Sequence, residues 1–448
     1  MSPAGDDAER SDEEERRKLS PAGDDAERSD EEDRRKLSPA GDENPVPSVR
    51  IPRALPDGVS QATIGVRGGL LRSQFEETSE AMYLASGYVY GSSAEAEQAF
   101  TGEVDRYVYS RYGNPTVSMF EERLRLIEGA PAAFATASGM AAVFTSLGAL
   151  LGAGDRLVAS RSLFGSCFVV CSEILPRWGV ETVFVDGDDL SQWEQALSVP
   201  TQAVFFETPS NPMQSLVDIA AVAELAHAAG AKVVLDNVFA TPLLQQGIPL
   251  GVDVVVYSGT KHIDGQGRVL GGAILGDKEY IDGPVQKLMR HTGPAMSAFN
   301  AWVMLKGLET LAIRVEYQNN SAQRIAEYLQ DHPAVRWVRY PFLPSHPQFD
   351  LAKRQMSGGG TVVTFELDAP ADAAKQRAFE VVDGLQLIDI SNNLGDAKSL
   401  VTHPATTTHR AMGPEGRAAI GLGDGVVRIS VGLEGTEDLI ADLDRALS

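Results

Sequence analysis

The chain has 448 residues, 43% hydrophobic and 23% charged, the balance of an ordinary soluble globular protein with length enough for two domains. Its 39 basic and 62 acidic residues give a net charge of −23, which argues against a general binder of nucleic acid or anionic membrane. No apolar run approaches the roughly 20 residues that span a bilayer, and the charged start reads as neither secretory signal nor transit peptide, so a cytoplasmic protein is expected. Residues 2–19 (SPAGDDAERSDEEERRKL) recur as 20–37 with Glu15 becoming Asp33, and Ser38 opens a third copy. Each copy holds one large apolar residue, Leu19 or Leu37, which cannot pay for ordering the chain; residues 1–43 read as a disordered, repeat-expanded acidic extension, with an acidic interaction arm as the other reading. A proline-rich linker follows (Pro39, Pro45, Pro47, Pro52, Pro56), and the folded part is expected from about Ser60.

Beyond the linker the pattern alternates. The apolar spacing predicts helices over Thr116–Glu128, Gly139–Leu151 and Asp218–Ala229. Strand-like runs are predicted at Arg156–Ser160, Glu181–Val185, Ala203–Phe206, Lys232–Leu235, Val254–Tyr257 and Gly272–Leu275. Such alternation predicts an α/β fold with a large, mainly parallel sheet covered on both faces. One long helix is expected over Ser297–Val315. Strands at Thr361–Leu367, Leu385–Ile390 and Val426–Val431 are assigned to a smaller α+β C-terminal domain, with the boundary near Leu308. The only cysteines, Cys167 and Cys171, are i, i+4 in an apolar run with no histidine nearby, and read as two buried thiols on one helix face; no metal site is expected.

Chemistry gathers at strand ends. Lys261 follows a strand through Ser258-Gly259-Thr260, ahead of a glycine-rich turn, and Asp236 closes the strand before it. Ligands of open α/β sheets bind at the carboxyl ends of strands. A lysine, a carboxylate and hydroxyls on one such edge suit pyridoxal phosphate: the amine forms a Schiff base, the carboxylate holds the pyridine nitrogen protonated, and hydroxyls with backbone N–H groups take the phosphate. In ATASGMAAVF, Gly139 and Met140 fall in the first turn of a helix, where free N–H groups and the helix dipole favour an anion. ETPSNP brings Asn211 to the same edge. Each has a plain alternative: a solvated loop lysine, a capping aspartate, an ordinary cap by Ser138. His262 reads as a hydrogen-bonded structural residue and Glu207 as either structural or catalytic. A nicotinamide site is discounted, because Gly265-x-Gly267 lacks the required spacing to a third glycine and follows a lysine.

Taken in order, YSRYGNPT (109–116), ASGMAA (137–142), ETPSNP (207–212), DNVFATP (236–242), YSGTKHIDGQGRVLGG (257–272) and VRISVGLE (427–434) resemble the cystathionine γ-synthase-like enzymes of cysteine and methionine metabolism, on the aspartate-aminotransferase fold (fold type I). The resemblance covers nearly everything from residue 60 onward. It implies Lys261 as the cofactor lysine and catalytic residue, Asp236 at the pyridine nitrogen, and Gly139, Met140, Ser258 and Thr260 as the phosphate cradle. It places Asn211 beside the phenolic oxygen, Arg428 on the substrate α-carboxylate, and Phe164 where many relatives stack a tyrosine. Val238 stands where they often have threonine. Tyr109 and Arg111 match a pair reaching a neighbouring subunit's phosphate, within an arm and linker over 44–112, which implies composite sites in a homotetramer. The cofactor domain is then expected over 113–308 and the C-terminal domain over 309–448.

The segment NNLGDAKSLVTHPATTTHR (392–410) departs from the Glu-Ser-Leu-Gly-Gly of lyases and cystathionine synthases. Asn392 replaces the carboxylate and Asn393 the serine, a form similar to direct sulfhydrylases that take sulfide, while HIDGQGRVLGG is similar to the subgroup acting on O-succinylhomoserine. The resemblance thus implies γ-replacement of succinate by sulfide on O-succinyl-L-homoserine, giving L-homocysteine in methionine biosynthesis. Asn393 is placed at the substrate, and Arg410 is a candidate for the succinyl carboxylate. Alternatives are cystathionine γ-synthase, use of the O-acetyl ester, or, in another class, a catalytically idle scaffold.

Overall fold

A computed structural model describes residues 55–448; the repeats and most of the proline-rich linker lie outside the described residues. Seven strands form the first sheet: β1 (Ala132–Thr136), β2 (Arg156–Ser160), β3 (Glu181–Val185), β4 (Ala203–Glu207), β5 (Lys232–Asp236), β6 (Val254–Ser258) and β7 (Gly272–Gly276). Their spatial order is β1-β7-β6-β5-β4-β2-β3. The pairs β6–β5, β5–β4, β4–β2 and β2–β3 are parallel, while β7 runs antiparallel to both its neighbours. The central strands β4 and β5 have apolar, buried middles, as expected where both faces are covered, and each ends in a carboxylate. One face packs with α1 (Pro115–Glu128) through Phe120, Leu124 and Ile127, the other with α2 (Gly139–Leu150) through Val143 and Leu147. Asn114 caps α1, its Oδ1 accepting from Thr116 N–H, with proline at the first helical position.

A second sheet contains β8 (Val335–Arg339), β9 (Val362–Leu367), β10 (Asp389–Ile390), β11 (Leu400–Thr402) and β12 (Val426–Ser430), in the order β10-β11-β12-β9-β8. Its core is built on Val363, Phe365, Val427 and Ile429, covered by Leu439 and Leu443 of the last helix.

Several expectations need correction. The single helix over Ser297–Val315 is two helices, α3 (Ala298–Leu308) and α4 (Leu311–Gln330). No proline marks the break; its reason is tertiary. Arg314, one turn into α4, donates through Nη2 to the freed Gly307 carbonyl at 2.8 Å and through Nη1 to the His262 carbonyl at 2.8 Å. A methyl at Gly307 would lie 2.2 Å from the Ile263 carbonyl, so α3 touches the loop after β6 backbone to backbone. The strand expected over Leu385–Ile390 is only Asp389–Ile390, because the buried Asp442 carboxylate takes the N–H groups of Gln386, Leu387 and Ile388 that a ladder would need. Three strands carried too little apolar signal to be predicted: β1 is mostly alanine, β8 is interrupted by arginines, and β11 has three residues. Cys167 and Cys171 are both free and buried, but the helix widens to a π-turn at Val170–Ile174, so they do not share a regular α-helical face.

Candidate active site

The carboxyl ends of β4, β5 and β6 open on a cavity of about 260 Å³, whose lining includes Gly139, Phe164, Asn211, Asp236, Lys261 and Arg428. Topology puts them there. Strands β5 and β6 are parallel neighbours, so Asp236 at one tip and Lys261 just beyond the other face one crevice. The turn carrying Lys261 is fastened by Asp264 N–H to the Gly259 carbonyl at 2.9 Å, Gly265 N–H to the Lys261 carbonyl at 2.8 Å, and the Arg314 contact.

Lys261 Nζ donates to Asn393 Oδ1. Burial, with the Arg428 charge nearby, lowers its pKa to about 8, so a usable fraction of the amine is neutral at physiological pH. Asp236 is 8% exposed, and burial raises its carboxyl to about 6. A cationic partner at its free edge would favour the ionised form.

The start of α2 forms the cradle. Ser138 Oγ accepts from Ala141 N–H at 3.1 Å and the Ser138 carbonyl from Ala142 N–H, leaving the first-turn N–H groups of Gly139 and Met140 to an anion. Glycine is required at 139, since a Cβ would lie 2.6 Å from that of Ser258. Ser258 and Thr260 line the same cavity; the Thr260 hydroxyl also accepts from Gly271 N–H at 3.2 Å, which ties the lysine turn to the entry of β7.

Across the cavity, Arg428 is 1% exposed. Nη1 donates to Asn211 Oδ1 at 2.9 Å, Nη2 to the Asn392 and Asn393 carbonyls at 3.0 and 3.2 Å, and the buried Nε has no partner among the described residues. Desolvation lowers its pKa to about 10, still cationic. A fixed guanidinium with an unused donor fits an incoming carboxylate.

Two substrate assignments, Asn393 and Arg410, sit elsewhere than expected. Asn393, placed at the substrate by resemblance, meets the Lys261 amine. Arg410, the candidate for a succinyl carboxylate, is exposed in a short 3₁₀ turn and does not line the cavity; Thr408 does. Tyr109 and Arg111 do not line it either. Arg111 stacks on Tyr109 and Tyr112, its guanidinium carbon 5.4 and 4.8 Å from the ring centroids, and Tyr109 is 43% exposed. His262 is buried, with Nε2 2.7 Å from Thr361 Oγ1, and burial drives its pKa to about 3, so it is a neutral structural residue. The sequence alone leaves Glu207 either structural or catalytic and does not mark His409, whose buried Nε2 is 3.0 Å from the Asn211 carbonyl.

The family described as Cys/Met metabolism PLP-dependent enzyme matches residues 62–448, all of the described chain but its first few residues. The chain belongs to that family. Pyridoxal phosphate is its cofactor, and the cavity fits it: an amine and a carboxylate at neighbouring strand tips, and a helix start with no room for a side chain. Among members of this Cys/Met family, the chain is 89% identical over 401 residues to an O-succinylhomoserine sulfhydrylase of Mycobacterium tuberculosis, covering 90% of this chain and 99% of the relative. It is 46% identical to an O-succinylhomoserine sulfhydrylase of Pseudomonas aeruginosa, over 88% and 96% of the two chains. A Campylobacter jejuni structure described as an O-acetylhomoserine (thiol)-lyase with N′-pyridoxyl-lysine-5′-monophosphate superposes at a TM-score of 0.82 with 31% identity, covering 87% of this chain and all of that one. The family match begins at residue 62, past the acidic repeats.

Proposed function

We propose that the chain catalyses γ-replacement of succinate by sulfide on O-succinyl-L-homoserine, forming L-homocysteine and succinate: the Cγ–O bond breaks and a Cγ–S bond forms. The observation that carries this reading is the asparagine pair at 392–393, with Asn393 engaged by the Lys261 amine and no carboxylate at 392 to receive the distal ammonium of a cysteine-derived product. The names of the Mycobacterium and Pseudomonas relatives agree with it.

In this reading the bound cofactor supplies the electron sink that stabilises negative charge developing at the substrate Cα. Arg428 holds the substrate α-carboxylate, fixed in turn by Asn211 and the 392–393 carbonyls. Lys261, neutral once freed, removes the Cα proton and carries protons at Cβ, with Asn393 Oδ1 setting the direction of its amine. Asp236 would keep the ring nitrogen protonated, Phe164 would offer the ring an aromatic neighbour without a phenol, and Gly139, Met140, Ser258 and Thr260 would take the phosphate.

Supplying sulfide or cysteine with the O-succinyl or O-acetyl ester, and comparing kcat/KM, tests the assignment. The highest value is expected for O-succinyl ester with sulfide; a preference for cysteine would make the chain a cystathionine synthase instead, and no turnover with visible cofactor absorbance absent would favour an idle scaffold. A second expectation concerns pH. The Lys261 pKa lies below that of a free lysine, so the neutral amine is the main form only above about pH 8. The rate at which cofactor-free protein captures pyridoxal phosphate should rise about ten-fold per pH unit below 8 and level off above it, measured by stopped-flow absorbance. A rate still climbing at pH 10 would contradict a perturbed lysine.

The finer organisation belongs to the same reading. Tyr109 and Arg111 serve the cavity of a second copy, in a homotetramer. This is supported by their absence from their own cavity and by exposed apolar residues along the arm, with Phe75 81%, Leu84 70% and Val89 90% exposed. The cofactor domain spans 113–308 and the C-terminal domain 309–448, each with its own sheet. The substrates are small molecules, and a cytoplasmic setting suits two free thiols.

A further inference from the structure

Glu207 is the last residue of β4, in register with Asp236 at the tip of β5, and is 4% exposed. Its carboxyl is used on both oxygens. Oε2 accepts the backbone N–H of Phe164 at 2.9 Å, and Oε1 that of Asn211 at 3.1 Å. The first donor belongs to the loop after β2 and the second to the loop after β4, so one side chain joins two segments that border the cavity. Asn211 passes the restraint on: its side chain accepts from Arg428, and its carbonyl meets His409.

The location is an expensive one for a carboxylate. Burial and the neighbouring Asp236 both oppose its ionisation and push its pKa well up, against which the two N–H donors and the Arg428 charge act. A loop tie needing no particular geometry would be met at lower cost by a neutral amide or by backbone pairing. What a carboxyl offers here, even as the neutral acid that burial favours, is an oxygen facing each of the two N–H groups, coplanar and at fixed separation.

We propose that Glu207 is a positioning residue: by clamping Phe164 and Asn211 with one carboxyl group, it sets the slot, bounded by those two residues and Asp236, in which the pyridine ring is held. This rests on the cofactor-site reading above, and extends it to a cavity-lining residue whose two oxygens are taken by backbone N–H groups.

The test uses the cofactor-loaded protein with Glu207→Gln and Glu207→Ala, and Lys261→Ala alongside. A carboxamide has one acceptor oxygen and loses one of the two anchors; alanine loses both. Cofactor release, followed by equilibrium dialysis, is expected to quicken about ten-fold in Glu207→Gln and about 100-fold in Glu207→Ala. The visible circular dichroism of the bound cofactor, which reports ring tilt, should change in both, while far-ultraviolet ellipticity does not. Unchanged release and unchanged visible dichroism in Glu207→Gln would overturn the proposal. Amide hydrogen exchange in the native sequence decides the matter if the variants do not fold. The Phe164 and Asn211 amides should be slow to exchange with and without cofactor, since Glu207 holds them; fast exchange without cofactor would equally overturn it. If Lys261→Ala keeps covalently bound cofactor, the site reading itself fails; if it loses the cofactor while Glu207→Gln behaves as wild type, only the Glu207 assignment falls.

Discussion

Replacing Lys261 with alanine is expected to abolish covalent retention of pyridoxal phosphate and to lower kcat by about four orders of magnitude. Among the described residues, no other lysine lines the cavity. His262 is buried beside Lys261, is bonded to Thr361 and is held neutral, and Arg428 stays cationic and occupied by Asn211 and two carbonyls. The fold should survive the change, because the lysine turn is held by its backbone: Gly265 N–H on the Lys261 carbonyl and Arg314 on the His262 carbonyl need no side chain at 261. A dialysed variant with a wild-type melting curve and no visible absorbance is the expected result. One that keeps both absorbance and turnover would remove Lys261 from the mechanism.

Arg428→Lys should cost the second-largest amount, about 10²- to 10³-fold in kcat/KM for the amino-acid substrate, most of it in KM. An ammonium preserves charge but is a point donor. It cannot reach Asn211 Oδ1 and the two loop carbonyls while also offering a planar edge to a carboxylate. The loss should extend beyond binding, because the Asn393 carbonyl that Arg428 holds belongs to the residue whose side chain orients Lys261. Steady-state kinetics with the ester varied at saturating sulfide measures the split. A variant with an unchanged KM would show that the α-carboxylate binds elsewhere.

The parts of this site that were legible in the sequence are local. A buried apolar run ending in Asp236, a run ending in Ser258-Gly259-Thr260 before Lys261, and small residues opening α2 can each be read within ten residues. Parallel neighbours then do the assembling, since every strand tip of such a sheet delivers its loop to the same edge. What was not legible depends on distant partners. Lys261 and Asn393 are 132 residues apart, and Phe164 and Glu207 43; nothing in either segment advertises the other. Charge and position make Arg410 a candidate for the succinyl carboxylate, yet it lies in an exposed turn and does not line the cavity. The division between α3 and α4 was equally hidden, because an arginine from the second helix and a close approach to the lysine loop impose it, not a breaker residue. Resemblance supplied roles; only the packed chain shows that the Asn393 side chain serves the lysine.

The most direct measurement of the central claim is the position of the covalent link. The cofactor-loaded protein is reduced with borohydride, digested, and its peptides weighed. A pyridoxyl-phosphate increment is expected on Lys261 and on no other lysine. The label on a different lysine, or its absence from a protein that still turns over the O-succinyl ester, would contradict it.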